Sequence, residues 1–223
     1  MFLSFYFMGE DIKLLKGERI KHRILRLYIP IFVWNIIYFG CKNIIFLICD
    51  KPEDIIGLNG LIEGLLFTHY PGLAAQLWFL FSQIVILVIT CISLSYVDSN
   101  KCKNMVLVVM TAFALIVEYM GVNSELFENA VFAVKYPLGR VTECIPYAMF
   151  GILYSWNFKG KNTVTKYVLL VICIIIATIS RLFILQPAGF GYGGFYLLFS
   201  STSICILVLI LPDFFIKGAL RGG

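Results

Sequence analysis

A bundle of membrane-spanning α-helices is the fold class this chain predicts, and three observations predict it. Hydrophobic residues make up 60% of the 223 positions, and mean hydropathy is +0.90. Charged residues are only 14%, against about 25% in ordinary soluble domains. Apolar runs long enough to cross a bilayer alternate with short polar connections, and lysine and arginine are sorted unevenly among those connections. Lipid can accept the outer face of such a chain, whereas a water-soluble fold could not hide so much apolar surface.

The stretch around which the chain is organised is Arg19 to Tyr38, RIKHRILRLYIPIFVWNIIY. A dense basic cluster turns at Leu27 into an apolar and aromatic run, the pattern of a membrane helix entered from the cytoplasmic side. Arg23 and Arg26 are three apart and so share a helix face. Two guanidinium forks on one face suit a phosphate-bearing partner. The alternative is that these charges only set topology and touch lipid phosphates.

About six complete spans are expected. The first runs from Leu27 to about Cys49, with Pro30 near its start, where a missing N–H costs little. About 20 residues at 1.5 Å rise cross a hydrocarbon core of about 30 Å. In the following loop, Leu58, Leu61, Ile62, Leu65 and Leu66 recur at helical spacing and predict a short helix packed on the bundle or lying at the interface. The remaining spans are expected near Ala75–Tyr96, Met105–Met120, Val141–Trp156, Tyr167–Leu185 and Phe195–Ile216. Gly121 to Arg140 reads as a loop, and Gln186 to Gly194 as an uncharged glycine-rich one. The opening MFLSFYFMGEDIK reads as the tail of a partial N-terminal helix rather than a signal peptide, because no basic region precedes its short apolar part. Neither a soluble domain nor an internal repeat is visible, so residues 1–223 read as a single membrane domain.

Alternating the connections, with the N-terminal segment placed inside, assigns 13 of the 18 Lys and Arg to one side and five (Lys42, Lys51, Lys135, Arg140 and Arg181) to the other. That bias follows the positive-inside rule and places Arg23 and Arg26 at the cytoplasmic face. The net charge of +5 is thereby a membrane-topology signal, and nucleic acid is not an expected partner. The seven cysteines lack C-x-x-C spacing and most lie in apolar runs, where cysteine behaves as a small hydrophobe. With His22 and His69 far apart in sequence, neither a disulfide framework nor a metal site is predicted. There is no Ser–His–Asp set, P-loop or Rossmann fingerprint.

Polar residues near membrane depth are the other candidates. Arg140 and Glu143, three apart at the mouth of the fourth span, read either as a structural link or as a substrate contact. Trp78 reads as an aromatic-belt residue or a site contact. Glu118 ends the third span. Arg181 reads as a snorkelling side chain. His69 reads as an interfacial ring rather than a proton-transfer group.

Three segments taken in order, RIKHRILRLYIPIFVW, LWFLFSQIVIL and GRVTECIPYAMFGILY, resemble the acyltransferase-three family of polytopic bacterial membrane acyltransferases that modify surface polysaccharides. The resemblance implies an acyl-CoA donor, usually acetyl-CoA, entering from the cytoplasm near Arg23 and Arg26, which match the family's R-x-x-R element. It implies acyl transfer to a sugar hydroxyl of a cell-surface polysaccharide or lipid-linked glycan, within the bacterial inner membrane. A homo-oligomer or a partner subunit is a further expectation. The family's histidine-bearing first helix has no counterpart before Arg19, and the last spans have none at the other end. The chain is therefore expected to be a partial member whose catalytic residue is unassigned, and neither His22 nor His69 fills that place. Two other readings stand beside this one, a component that exports polysaccharide or lipid-linked sugar, and a non-catalytic remnant of an acyltransferase.

Overall fold

The computed structural model describes residues 1–67, 77–123, 132–183 and 195–219. Eight α-helices and one 3-10 turn make up the described residues, with no strand among them. They are α1 (Phe2–Lys13), α2 (Gly17–Ile48), the turn Pro52–Asp54, α3 (Leu58–Phe67), α4 (Trp78–Ser95), α5 (Asn100–Asn123), α6 (Phe132–Phe158), α7 (Thr163–Phe183) and α8 (Phe195–Ala219).

The expected all-helical bundle is present, and the expected short helix is α3. Among the described residues, two helical stretches are long and apolar enough to cross a membrane outright, Gly17–Ile48 and Asn100–Val117. Three shorter apolar stretches, Phe79–Ser95, Val164–Ile179 and Leu198–Leu211, fall below the roughly 20 residues that a perpendicular span needs. The outer face of α2 carries exposed Ile29, Phe32, Val33, Ile36 and Ile37, a contiguous apolar surface of the kind that faces lipid.

Two boundaries differ from the sequence expectation. Helix α2 begins ten residues before Leu27, so Pro30 lies in its interior rather than near its start. The proline ring supplies no N–H for the carbonyl four residues back, that of Arg26. The region expected as a loop up to Arg140 is helical from Phe132 onward. Lys135, Pro137 and Gly139 break the apolar pattern there, but a proline near a helix start deprives only one carbonyl of its donor.

Helix α6 occupies the centre. Its Val141, Cys144, Ala148, Met149 and Ile152 pack with Phe5, Met8 and Ile12 of α1, Ile86, Leu87 and Leu94 of α4, and Leu107 of α5. The i, i+3, i+7 spacing on α1 presents one apolar stripe to this core. A second cluster joins Phe2 and Tyr154 to Leu170 and Cys173 of α7 and to Ile206 and Ile210 of α8.

The packing of α1 on α6 is unusually close. A Cβ placed on Gly151 would come within van der Waals overlap of the Phe2 carbonyl, and one on Gly9 would strike Ser155 Oγ. The indole Nε1–H of Trp156 donates to the Gly9 carbonyl at 2.7 Å. Tyr154 lies against Phe2 and Tyr6 at ring separations of 5.8 and 5.7 Å, within the range of favourable aromatic pairs.

The chain then reverses into α2 through a helix-ending motif that normally uses glycine. The Leu15 N–H donates to the Ile12 carbonyl and the Lys16 N–H to the Asp11 carbonyl, the paired bonds of a Schellman ending. Its left-handed position is Leu15, with φ 48°, a conformation disfavoured for residues bearing a Cβ. Leu15 also packs on the core, and that contact offsets the backbone cost. The far end of α2 repeats the device with Asp50, φ 58°. Beyond it, Asn43 donates to the Ile56 carbonyl at 3.0 Å and accepts from the Ile56 N–H at 2.8 Å, clasping the connection to α3.

Gly151→Ala forces either the Phe2 backbone or α6 to move, and overpacking of this kind costs about 1–3 kcal/mol. The expected outcome is a clear fall in the melting temperature of the purified protein. Gly40→Ala is the control: its Cβ meets nothing within 4 Å, and alanine is the better helix former by about 1 kcal/mol, so the melting temperature should hold or rise.

Candidate functional site

A cavity of about 380 Å³ opens where α1, α2 and α4 meet at the α1–α2 turn. Its apolar wall is Phe7, Met8 and Ile12 of α1, Ile20 of α2 and Leu87 of α4. Its polar side is almost entirely one face of α2. Arg19, His22, Arg23 and Arg26 all line it, and their i, i+3, i+4, i+7 spacing puts them on a single helical stripe. Ile20, Ile24 and Ile31 turn toward the protein beside that stripe, which fixes the direction in which the basic face looks.

The cavity is electrostatically lopsided. Asp11 is its one carboxylate, and it is held by Arg19 Nη1 at 3.0 Å. Arg23 is half-buried and Arg26 exposed. Among the described residues neither has a carboxylate within ion-pair distance. Two guanidinium groups are thus in surplus over a floor of hydrocarbon, where low polarisability strengthens their attraction for an anion.

One helical turn deeper than Met8 and Leu87, Ser4 Oγ donates to Gln83 Oε1 across α1 and α4 at 3.4 Å. Ser82 and Thr90 of α4 and Asn35 of α2 are buried, and Ser82 Oγ, Thr90 Oγ1 and Asn35 Oδ1 lack a hydrogen-bond partner. The Asn35 amide nitrogen is satisfied by the Ile31 carbonyl at 2.8 Å.

Other basic segments gather at the same end. Lys103 Nζ, at the start of α5, donates to the Lys13 carbonyl at 3.3 Å, where a cation complements the C-terminus of α1. Asn104 of α5 pairs with Asn157 at the end of α6 at 3.2 Å. Three of the connections that the charge count assigned to one side, near Lys13, Lys103 and Asn157, therefore lie together; Arg221 is outside the described residues.

Of the residues singled out in the sequence, Arg23 and Arg26 come together at the cavity. Trp78 starts α4 and Arg140 lies in α6, but their side chains are outside the described residues, as are those of Glu118 and Arg181. Residues 184–194 and His69 are outside them altogether. Glu143 is half-buried and engaged on α6, and it does not line the cavity. Sequence reasoning missed Arg19 and Asp11. The arginine repeat extends one turn earlier than the R-x-x-R pair, a signal that the spacing of Arg19 and Arg23 contains. Asp11 could not be found in this way, because it reaches the cavity only through the turn at Leu15.

The described helices, two of them long and apolar enough to cross a membrane, thus carry a basic cavity at one end. A family model described as an acyltransferase domain, Acyl_transf_3, matches residues 1–219, and the chain belongs to that family. No curated protein and no solved structure matches it.

Trp156→Phe keeps the ring and removes the donor to the Gly9 carbonyl. Loss of a partly buried hydrogen bond costs about 1 kcal/mol, so a modest drop in melting temperature is expected. Since α1 supplies the cavity's apolar wall, cysteine labelling at Ile12→Cys, which is fully buried in the parent, should also accelerate.

Proposed function

We propose that the chain binds the phosphates of an acyl-CoA donor, most simply acetyl-CoA, through Arg23 and Arg26 at the cytoplasmic end of the bundle, and serves in O-acyl transfer to a sugar hydroxyl of a surface polysaccharide or lipid-linked glycan. The observation that carries this reading is the cavity itself. The R-x-x-R pair borders an open cleft, Arg23 half-buried and Arg26 exposed at its edge, with two unneutralised guanidiniums beside an apolar wall. Coenzyme A presents the matching chemistry of diphosphate, 3′-phosphate and a less polar pantetheine arm. A volume of about 380 Å³ lies toward the small end of ligand sites, which run from about 300 to 1,000 Å³, and fits the phosphate-bearing part of such a donor.

Transfer to a hydroxyl requires a base at the acceptor. His22 shares the arginine face at the donor end, so its position suits phosphate contact rather than hydroxyl activation. Buried polar groups on α2 and α4, with the half-buried Ser4 of α1, give the interior beside the cavity a hydrogen-bonding character that a purely structural apolar core would lack.

The test is retention of radiolabelled acetyl-CoA by the protein in nanodiscs. Arg23→Ala/Arg26→Ala should weaken it by tenfold or more, since charge-assisted phosphate contacts contribute about 1.5–3 kcal/mol each. Arg23→Lys/Arg26→Lys should restore only part of that loss, because lysine lacks the bidentate fork. Unchanged retention in the double alanine variant would remove the donor site from this cavity and favour the export reading.

A further inference from the structure

The ion pair on the cavity rim is set against the electrostatics of both its helices. Asp11 lies in the last turn of α1, which ends at Lys13, where exposed carbonyls already make the potential negative. Arg19 lies in the first turn of α2, which begins at Gly17, where unpaired N–H groups make it positive. Each charge would be better accommodated at the opposite end of its own helix, and each is relieved by the other at 3.0 Å. The contact is a single N–O approach, and the Arg19 side chain is 66% exposed. Pairs of this kind are heavily screened and weak. A phosphate offers the same guanidinium a stronger, bidentate partner.

Arg19 also lies on the same stripe as Arg23 and Arg26 and lines the same cavity. Asp11 is therefore placed to do two things to an anion arriving there. It occupies the third arginine, and it adds the one repulsive charge.

We propose that Arg19 is a third phosphate-binding residue of the cavity, and that Asp11 restrains it by competing with the incoming anion. The inference rests on the donor-site reading for the identity of the ligand, but the exchange of Arg19 from carboxylate to phosphate requires only a phosphate-bearing ligand. Affinity is then set by a balance within the protein, and on binding the turn at Leu15 loses the ion pair that spans it.

The test measures binding of coenzyme A and of inorganic pyrophosphate to the full chain at low salt. The nanodiscs are of phosphatidylcholine, with or without phosphatidylglycerol. Asp11→Asn should tighten both probes by about fivefold, the scale of an exposed charge pair. Arg19→Gln should weaken both, and Asp11→Asn should tighten them clearly less in the Arg19→Gln background than in the parent, because the restraint acts through Arg19 and only the direct repulsion is left to relieve. Asp11→Ser substitutes where the asparagine variant does not fold. Binding unchanged or weakened by both Asp11 variants, while Arg23→Ala/Arg26→Ala still abolishes it, would overturn the restraint and leave the donor site standing. Tightening seen for pyrophosphate without any binding of coenzyme A would uphold the restraint and remove the donor reading. Displacement of pyrophosphate by phosphatidylglycerol, again with tightening in Asp11→Asn, would uphold it with a lipid headgroup as the phosphate source.

Discussion

The contact between α1 and α6 is the constraint on which the rest of this structure depends. Gly9 and Gly151 allow two backbones to meet where any side chain would intrude, and Trp156 ties them with a bond to the Gly9 carbonyl. That approach places Phe5, Met8 and Ile12 against the core and leaves Phe7 and Asp11 beside α2. The cavity exists because α1 stands at this distance. A bulkier residue at Gly9 or Gly151 would push the wall outward and pull the acid away from the arginine stripe. Catalytic groups of a membrane transferase need such rigid support, since donor and acceptor must be aligned within fractions of an ångström for transfer to proceed.

Electrostatics and packing are divided between the two faces of α2. Ile20, Ile24 and Ile31 hold the helix to the protein, and the arginines flank that stripe by little more than a quarter turn. Through this offset a basic face can border a cavity while its own helix stays anchored. Pro30 marks the junction between the two regimes. Below it the helix is charged and borders the cavity, and above it the helix is apolar and largely uncovered. The Arg26 carbonyl, to which Pro30 offers no N–H, sits at that junction.

Much of the fold was legible in the sequence, and the reasons differ by element. Long apolar runs announced α2, α4, α5, α7 and α8, because a continuous apolar run of that length satisfies its own backbone groups in lipid as a helix. The short α3 was readable from its leucine spacing. The first turns of α6 were not, since Pro137, Gly139 and two cations mimic a loop, and only tertiary context overrides that local pattern. For the site, Arg23 and Arg26 were legible because charge beside an apolar span is rare. Their companion Asp11 was hidden, since eight residues and a left-handed leucine separate it from Arg19, and no periodicity reports a turn of that shape. The glycine contacts were equally silent: Gly9, Gly40 and Gly151 look alike in sequence, and only two of them touch anything.

The sparse burial of α2 has one more consequence. Of its 32 residues only Ile31 and Asn35 are fully buried, so most of its surface is left to its surroundings. At 1.5 Å per residue its apolar part from Leu27 onward is about 33 Å long, close to a typical hydrocarbon core, and its charged first turns add about 15 Å beyond that. When that apolar part fills the core, the charged turns stand beside the headgroups. The guanidinium stripe is mounted on those turns. One continuous helix thus ties the depth of the arginines to the seating of the apolar segment that follows them.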